Sequence, residues 1–277
     1  YPASLTKIMT LYLLFEELES GRMTMRTKLP VSRVAASRSP SKLYLKPGQT
    51  ITVKDAIYAL ITKSANDVAT VVGEALSGTE REFGKRMTRK ARALGMSATT
   101  FRNASGLPHS KQRTTARDMA RLAIAMRRDF PQYFGFFSTK SFRWRGKRFG
   151  NHNKLLSNYT GTDGIKTGYI DASGFNLVAT VERNGVRLIG VVFGGRTGKT
   201  RDAHMVKILD KSFKRVKPGD IRTQLAAASS NAVRALPKTL LRSLPVPPPA
   251  PDTLPVAPPS RRAVSYTHLR AHETLLD

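Results

Sequence analysis

The chain has 277 residues, enough for one large domain with its own core, and it contains no cysteine. The lack of thiols excludes cysteine catalysis, thiolate metal sites and disulfide frameworks. The formal net charge is +28, and the last 57 residues hold only seven basic and three acidic groups, which leaves +24 for residues 1–220. Such a basic body favours anionic partners, namely nucleic acid, acidic lipid surfaces or carboxylate-rich polymers, unless it is only a solvated surface.

The first 130 residues are predicted to be mostly helical. Apolar residues at helical spacing follow Ser4 up to a break at Gly21. Thr52-Val53-Lys54-Asp55 resembles a capping box, and two later threonines also precede helical patterns. These signals predict helices over 4–20, 52–62, 67–76, 79–95 and 115–130.

Strands are predicted after residue 130. Residues 141–150 indicate a short hairpin around Gly146. Residues 174–182 and 186–193 are nearly continuous runs of Val, Leu and Ile, joined through Asn184-Gly185, a strong hairpin signal. Because the two runs are apolar throughout, we expect a sheet that is covered on both faces.

The end of the chain changes in character. Residues 200–216 predict a closing helix with Met205, Ile208 and Leu209 on its inner face. Residues 237–259 hold nine of the chain's 16 prolines, which predicts a polyproline-type linker or disordered spacer across 217–263. The last stretch, 264–277, has no periodic pattern and is typical of read-through, so we draw no function from it. No stretch approaches the ~20 apolar residues of a membrane-spanning helix.

Three short motifs occur in order along the chain: Ser4-Leu5-Thr6-Lys7 (S-x-x-K), Ser64-Ala65-Asn66 (S-x-N) and Lys166-Thr167-Gly168 (K-T-G). Each alone occurs by chance in many proteins, where the serine is an ordinary helix cap and the lysine a solvated residue. Together and in this order they indicate a serine acyl-transfer site.

The chemistry of such a site explains the residue types. Ser4 and Lys7 are three apart at a helix start and therefore share a face. A serine hydroxyl is a poor nucleophile until a base takes its proton, and Lys7 can be that base only if its pKa is lowered. Burial and a neighbouring cation such as Lys166 would both lower it, while the helix N-terminus favours a developing alkoxide.

The other two motifs have suitable positions as well. Ser64 and Asn66 fall at the break between two predicted helices, where side chains can point into a cleft. Lys166-Thr167-Gly168 is predicted to lie on an edge strand, along which a substrate backbone can align. Gly168 would allow the close approach that this alignment requires.

Around these motifs the sequence resembles the serine D-alanyl-D-alanine carboxypeptidases, the low-molecular-mass penicillin-binding proteins. The resemblance covers residues 1 to about 216, which we expect to be the catalytic domain. It rests on five segments: Ala3-Ser4-Leu5-Thr6-Lys7-Ile8-Met9-Thr10, Lys63-Ser64-Ala65-Asn66-Asp67, Phe101-Arg102-Asn103-Ala104-Ser105-Gly106-Leu107, Asp163-Gly164-Ile165-Lys166-Thr167-Gly168-Tyr169 and Ala172-Ser173-Gly174-Phe175-Asn176-Leu177-Val178-Ala179.

The family fold is α+β and of the β-lactamase/transpeptidase type, with an antiparallel sheet flanked by helices and a mainly helical subdomain. The chain opens at Tyr1, inside the first motif and without an initiator Met. We therefore expect the family's N-terminal strands to be absent here. We also expect the fragment to be marginally stable, since sheet edge and core surface would be exposed.

The resemblance implies catalytic roles. Ser4 attacks the carbonyl between the two terminal D-alanines of a peptidoglycan stem peptide, and Lys7 accepts its proton. Ser64 and Asn66 relay protons and hold the substrate amide.

It also implies a binding set. Lys166 and Thr167 hold the substrate, with the threonine on the terminal carboxylate, and Gly168 leaves room for it. The backbone amides of Ser4 and Tyr169 form the oxyanion hole. In Thr197-Gly198-Lys199-Thr200-Arg201 the arginine helps to bind the carboxylate, unless Arg201 is only a surface residue at a helix start.

The expected partners follow from the family. β-Lactam antibiotics would be covalent inhibitors, the location would be the periplasm, and the charge suits association with an anionic membrane surface. No nucleic acid, cofactor or metal is expected, and the five histidines are interpreted as structural or surface residues. His152 stands where related sequences often have threonine, and no catalytic role is given to it.

Two other functions stay open. A class A β-lactamase shares the three motifs but also needs a glutamate, usually in an E-x-x-L-N context, which none of the eight glutamates provides. A non-catalytic protein that binds polyanions or cell wall would fit the charge but leaves the intact motifs unexplained.

Overall fold

The computed structural model describes residues 1–216 and the backbone of residues 263–264. Apart from those two residues, the predicted linker 217–263 and the tail 264–277 lie outside the described residues. Over the part that is described, no helix is both long enough and apolar enough to cross a membrane.

Eight α-helices are found in the described chain. They are α1 (Thr6–Glu19), α2 (Arg33–Ala36), α3 (Val53–Ile61), α4 (Asn66–Ser77), α5 (Glu80–Ala93), α6 (Ala116–Asp129), α7 (Leu155–Asn158) and α8 (Gly198–Phe213).

The capping signals set the helix starts as predicted. The hydroxyls of Thr52, Thr79 and Thr115 accept the backbone N–H three residues on, and so cap α3, α5 and α6. The closing helix begins at Gly198 instead of Thr200, because Thr197 and Thr200 form a reciprocal capping box that the prediction missed.

The strands form three sheets in the described chain. They are β1 (Lys28–Pro30), β2 (Thr50–Thr52), β3 (Ser141–Trp144), β4 (Lys147–Gly150), β5 (Thr162–Ile170), β6 (Gly174–Arg183), β7 (Val186–Gly195) and β8 (Ala263–Val264). The strand pairs β1–β2 and β3–β4 are small antiparallel hairpin-like sheets, and the third sheet has the order β5-β6-β7-β8.

The large sheet confirms the predicted hairpin and the predicted edge strand. Strands β6 and β7 pair antiparallel across a turn in which Asn184 and Gly185 both have positive φ, 49° and 76°, as a two-residue hairpin turn of this hand requires. Strand β5 pairs antiparallel with β6 alone, so the K-T-G motif lies on the sheet edge.

Both faces of this sheet are covered, as the apolar runs predicted. On one face α8 packs with Met205 and Leu209, and Gly190 leaves room for the flexible side chain of Met205. On the other face lies the main core, which includes nearly all of α1. Since α1 is buried along its length, its N-terminus is fixed against the edge strand β5.

Candidate active site

A cleft of about 910 Å³ opens where the N-terminus of α1, the α3–α4 junction and the edge strand β5 meet. It brings together all nine residues predicted for the site. Seven of them line it: Ser4, Ser64, Asn66, Thr167, Gly168, Tyr169 and Arg201. The other two, Lys7 and Lys166, lie directly behind this lining and are 0% and 2% exposed.

The predicted nucleophile lies on a tight turn. Ser4 is the middle residue of a 3₁₀ turn, Ala3–Leu5, and α1 continues from Thr6. The N-cap of α1 is Leu5 without a side-chain hydrogen bond, so the interpretation of Ser4 as an ordinary helix cap is wrong. Ala3 has a φ of +47°, a conformation that non-glycine residues adopt at an energetic cost.

The interpretation of Lys7 as a solvated lysine is also wrong. Its Nζ lies 3.1 Å from Ser4 Oγ, 2.8 Å from Asn66 Oδ1 and 2.6 Å from the carbonyl oxygen of Ser105. Burial, and then the nearby charge of Lys166, holds the pKa of Lys7 well below its ordinary value.

The lowered pKa favours the neutral amine, and the three contacts are compatible with it. Asn66 Oδ1 and the Ser105 carbonyl can only accept hydrogen bonds, so they use the two N–H groups of a neutral Lys7. The lone pair is then left for the Ser4 hydroxyl, which can donate. A neutral Lys7 would therefore present its lone pair to the Ser4 hydroxyl.

Lys166 and Arg201 make the far end of the cleft electropositive. Burial, and then the charge of Arg201, lowers the pKa of Lys166 to about 7. Arg201 is 5% exposed, so its interpretation as a surface arginine is wrong. Its guanidinium bonds Asp202 and the backbone oxygen of Asn176, and the residue still lines the cleft. Two buried cations near each other favour an anion between them.

The Ser64 hydroxyl has no hydrogen-bond partner in the described chain. The residue is buried and has a φ of +58°. The next motif residue, Asn66, is held at both ends of its amide, because its side chain accepts from Lys7 and donates over 2.9 Å to the backbone oxygen of Ser39. A strained residue with an unpaired hydroxyl in a cleft indicates a group that is completed by a ligand.

Strand β5 comes close to the nucleophile turn. A Cβ at Gly168 would lie 3.0 Å from the backbone nitrogen of Ser4, so a side chain there would push the turn away. The side chain of Tyr169 is half exposed, and its hydroxyl donates to Asp171 over 2.6 Å. Glycine at position 168 therefore lets strand β5 and the turn at Ser4 share one wall of the cleft.

Sequence reasoning missed several residues that hold the site in shape. The buried carboxylate of Asp67 accepts the backbone N–H of Leu43, Leu45 and Val68, and so fixes the loop at the rim. The side chain of Asn153 donates to the Gly164 oxygen ahead of the K-T-G motif. Asp67 belongs to Lys63-Ser64-Ala65-Asn66-Asp67, one of the segments that resemble the family, and this membership could have pointed to it.

His152 also lines the cleft, although no role was predicted for it. Burial, followed by the charges of Lys166, Lys63, Lys154 and Lys7, lowers its pKa to about 4. At neutral pH the imidazole is therefore uncharged and sits on the cleft wall among lysines.

Comparison with known proteins agrees with this geometry. Residues 1–197 match the family model described as D-alanyl-D-alanine carboxypeptidase. The chain is 37% identical over 216 residues to the D-alanyl-D-alanine carboxypeptidase DacF of Bacillus subtilis, covering 76% of this chain and 56% of that protein. It thus spans little more than half the length of this curated relative.

Solved structures show the same fold. Penicillin binding protein 5 from Haemophilus influenzae superposes with a TM-score of 0.74 at 32% identity, covering 77% of this chain and 64% of that one. A penicillin-binding protein from Listeria monocytogenes, solved in its cefotaxime-bound form, gives 0.69 at 32% identity, covering 76% and 86%. The predicted transpeptidase-like fold is confirmed, and the chain belongs to the D-alanyl-D-alanine carboxypeptidase family.

Proposed function

We propose that this protein is a serine-type D-alanyl-D-alanine carboxypeptidase that removes the terminal D-alanine from peptidoglycan stem peptides. The observation that carries the proposal is the buried Lys7, whose Nζ lies 3.1 Å from Ser4 Oγ and is held by two pure acceptors. Its family membership and the named activity of its relatives support the same reaction.

The acylation step uses the contacts around Lys7. Ser4 Oγ attacks the carbonyl carbon of the penultimate D-alanine while its proton passes to the neutral amine of Lys7. The backbone N–H groups of Ser4 and Tyr169 stabilise the oxyanion. The C–N bond then breaks, and the leaving amine takes a proton through the otherwise unpaired hydroxyl of Ser64.

The basic end of the cleft selects the substrate. The terminal carboxylate binds near Lys166, Thr167 and Arg201, where Arg201 pairs with Asp202 and Lys166 has no carboxylate within 4.0 Å in the described chain. Asn66 orients the substrate amide. Binding at this end places the scissile carbonyl over Ser4.

Deacylation completes the cycle when water attacks the ester on Ser4 and releases the shortened peptide. None of the glutamates in the described part of the chain lines the cleft. A β-lactam ester would then lack the glutamate base of a class A β-lactamase, so we expect it to be hydrolysed slowly. This argues for inhibition by β-lactams and against their turnover.

The cellular setting follows from the substrate. Peptidoglycan lies outside the cytoplasmic membrane, so we propose a periplasmic location. The basic surface of the domain suits contact with anionic polymers or membrane surfaces there.

The test is the intact mass of the protein after incubation with benzylpenicillin. We expect the mass to increase by one whole benzylpenicillin, because opening of the β-lactam ring by Ser4 expels no atom. Ser4→Ala should carry no adduct, whereas Ser212→Ala, a buried serine remote from the cleft, should acylate as the parent does. Acylation of Ser4→Ala, or rapid loss of the adduct with penicillin turnover, would refute the assignment.

A further inference from the structure

A second groove of about 970 Å³ adjoins the cleft. It runs between α5 and the loop formed by residues 101–111, and Leu107 and Pro108 line both the groove and the cleft. An extended ligand that leaves the cleft over these two residues would enter the groove directly.

The wall between the two cavities is held in place by its own hydrogen bonds. Asn103 accepts the N–H of Gly106 over 2.7 Å and donates to the Leu107 oxygen over 2.9 Å. Gln112 donates to the same oxygen and is 2% exposed. The groove is therefore preformed, and a ligand does not have to order it.

The groove is strongly basic. Its one carboxylate is Glu80, which is engaged within the fold by Arg38, the Thr70 hydroxyl and the backbone N–H of Ala104. This acid cannot neutralise the cations at the rim. Among these, Lys85 is the one that pairs with a carboxylate, Glu82, outside the groove.

Three exposed cations of the groove have no ion pair within 4.0 Å in the described chain: Arg81, Arg102 and Lys111. Together they surround a concave surface, where low-dielectric walls focus the field of like charges. The neighbouring carboxylate of Glu82 offsets part of the charge of Arg81, yet the lining of the groove keeps a net positive charge, so an external anion is the complementary ligand.

We propose that this groove is a second substrate subsite, which binds free carboxylates on the part of a peptidoglycan strand that lies beyond the scissile peptide. The inference rests on the proposed function, since it assumes that the stem peptide ends in the cleft. It predicts that the enzyme prefers polymeric, carboxylate-bearing strands to short peptides with the same terminus.

The test compares the parent with the triple variant R81Q/R102Q/K111Q. On glycan strands carrying pentapeptides, kcat/KM should fall by about tenfold, at the low end of the gains from charge focusing in clefts. On a short neutral-capped peptide ending in D-alanyl-D-alanine, and in benzylpenicillin acylation, the variant should stay within about twofold of the parent. The matched control R26Q/R33Q/K54Q removes the same charge from exposed positions outside both cavities.

A binding arm separates this inference from the proposed function. Retention of the parent on immobilised strands needs no catalysis, and it should fall for the triple variant and for strands whose carboxylates are amidated. The subsite would be overturned if R26Q/R33Q/K54Q lost as much retention as R81Q/R102Q/K111Q, or if R81Q/R102Q/K111Q were retained as well as the parent. Equal retention of the parent on immobilised DNA would also overturn it. A parent that binds strands through the groove yet never acylates would refute the carboxypeptidase function alone.

Discussion

Two residues of the site hold backbone conformations that most side chains avoid. Ala3 and Ser64 have φ values of +47° and +58°. Ala3 directly precedes Ser4, and Ser64 carries the hydroxyl that we propose as the proton relay. A left-handed conformation costs a non-glycine residue roughly 1–2 kcal/mol. The rest of the fold offsets this cost, and the result is a nucleophile turn and a hydroxyl that both face the cleft.

Ser64→Ala should make the protein more stable and less active. Removing a buried hydroxyl without a partner should raise the free energy of unfolding by about 1 kcal/mol. Loss of the proton relay should slow benzylpenicillin acylation by about 10²-fold. Thermal melts and acylation kinetics check the two effects. Thr6→Val removes the other orphan hydroxyl of the described chain, outside the cleft, and should stabilise without slowing acylation; a lower melting temperature for Ser64→Ala would contradict the first expectation.

Lys166→Met should change the pH profile of acylation. Only neutral Lys7 can accept the serine proton, so the rate rises with pH through the pKa of Lys7, which burial and Lys166 depress. Without the neighbouring cation this pKa moves up, and the acid limb should shift to higher pH. The measurement is the acylation rate constant against pH. Lys154→Met removes another lysine that lines the cleft but does not shift the pKa of Lys7, so it should leave the limb in place. An unmoved limb in Lys166→Met would exclude the coupling.

At the scale of elements, the site depends on how α1, the loop before α6 and strand β5 meet. Gly106 has a φ of +87°, and a Cβ there would lie 1.8 Å from the Ala3 oxygen. Gly168 approaches the same turn from β5. The N-terminus of α1 is thus clamped between two backbone segments that carry no side chain at the contact.

Gly106→Ala should therefore destabilise the protein more than its backbone angle alone explains. The clash with Ala3 and the left-handed φ together should cost roughly 2–4 kcal/mol. Gly78→Ala is the matched control, because Gly78 has a φ of +74° but open space around its Cβ position. It should cost about 1 kcal/mol. Urea unfolding of both variants tests this, and equal losses would show that the contact with the nucleophile turn has no energetic weight.

At the scale of the whole molecule, burial of lysines makes stability depend on pH. The pKa of Lys166 is about 7 in the folded protein against an ordinary value of 10.5. Between these values the unfolded chain binds the extra proton, so the free energy of unfolding increases as pH rises. The burial of Lys166 therefore reduces the free energy of unfolding least at alkaline pH.

Lys166→Met should flatten this dependence. Between pH 8 and 9, above the folded pKa of Lys166, the slope should fall by nearly one proton, about 1.4 kcal/mol per pH unit, relative to the parent. Urea unfolding at pH 7, 8 and 9 provides the measurement. Lys54→Met, an exposed lysine, is the control for net charge, and a slope in Lys166→Met equal to that of the parent would contradict the buried-lysine explanation.

The sequence by itself determined the features that depend on near neighbours. Thr52, Thr79 and Thr115 cap their helices because each hydroxyl reaches an N–H three residues away. Asn184-Gly185 makes a tight hairpin turn because both residues tolerate positive φ. The three motifs and their order are local patterns as well, so the family could be recognised and confirmed.

Only the tertiary structure decided what surrounds those residues. Lys7 meets Asn66 and Ser105 from 59 and 98 positions away, and that packing provides the burial that lowers its pKa. The conformation of Ser64, the burial of Arg201 and the basic groove beside the cleft likewise depend on segments distant in sequence. The burial of a side chain, the electrostatic field around it and the shape of a cavity all depend on neighbours in space. A sequence pattern does not specify those neighbours.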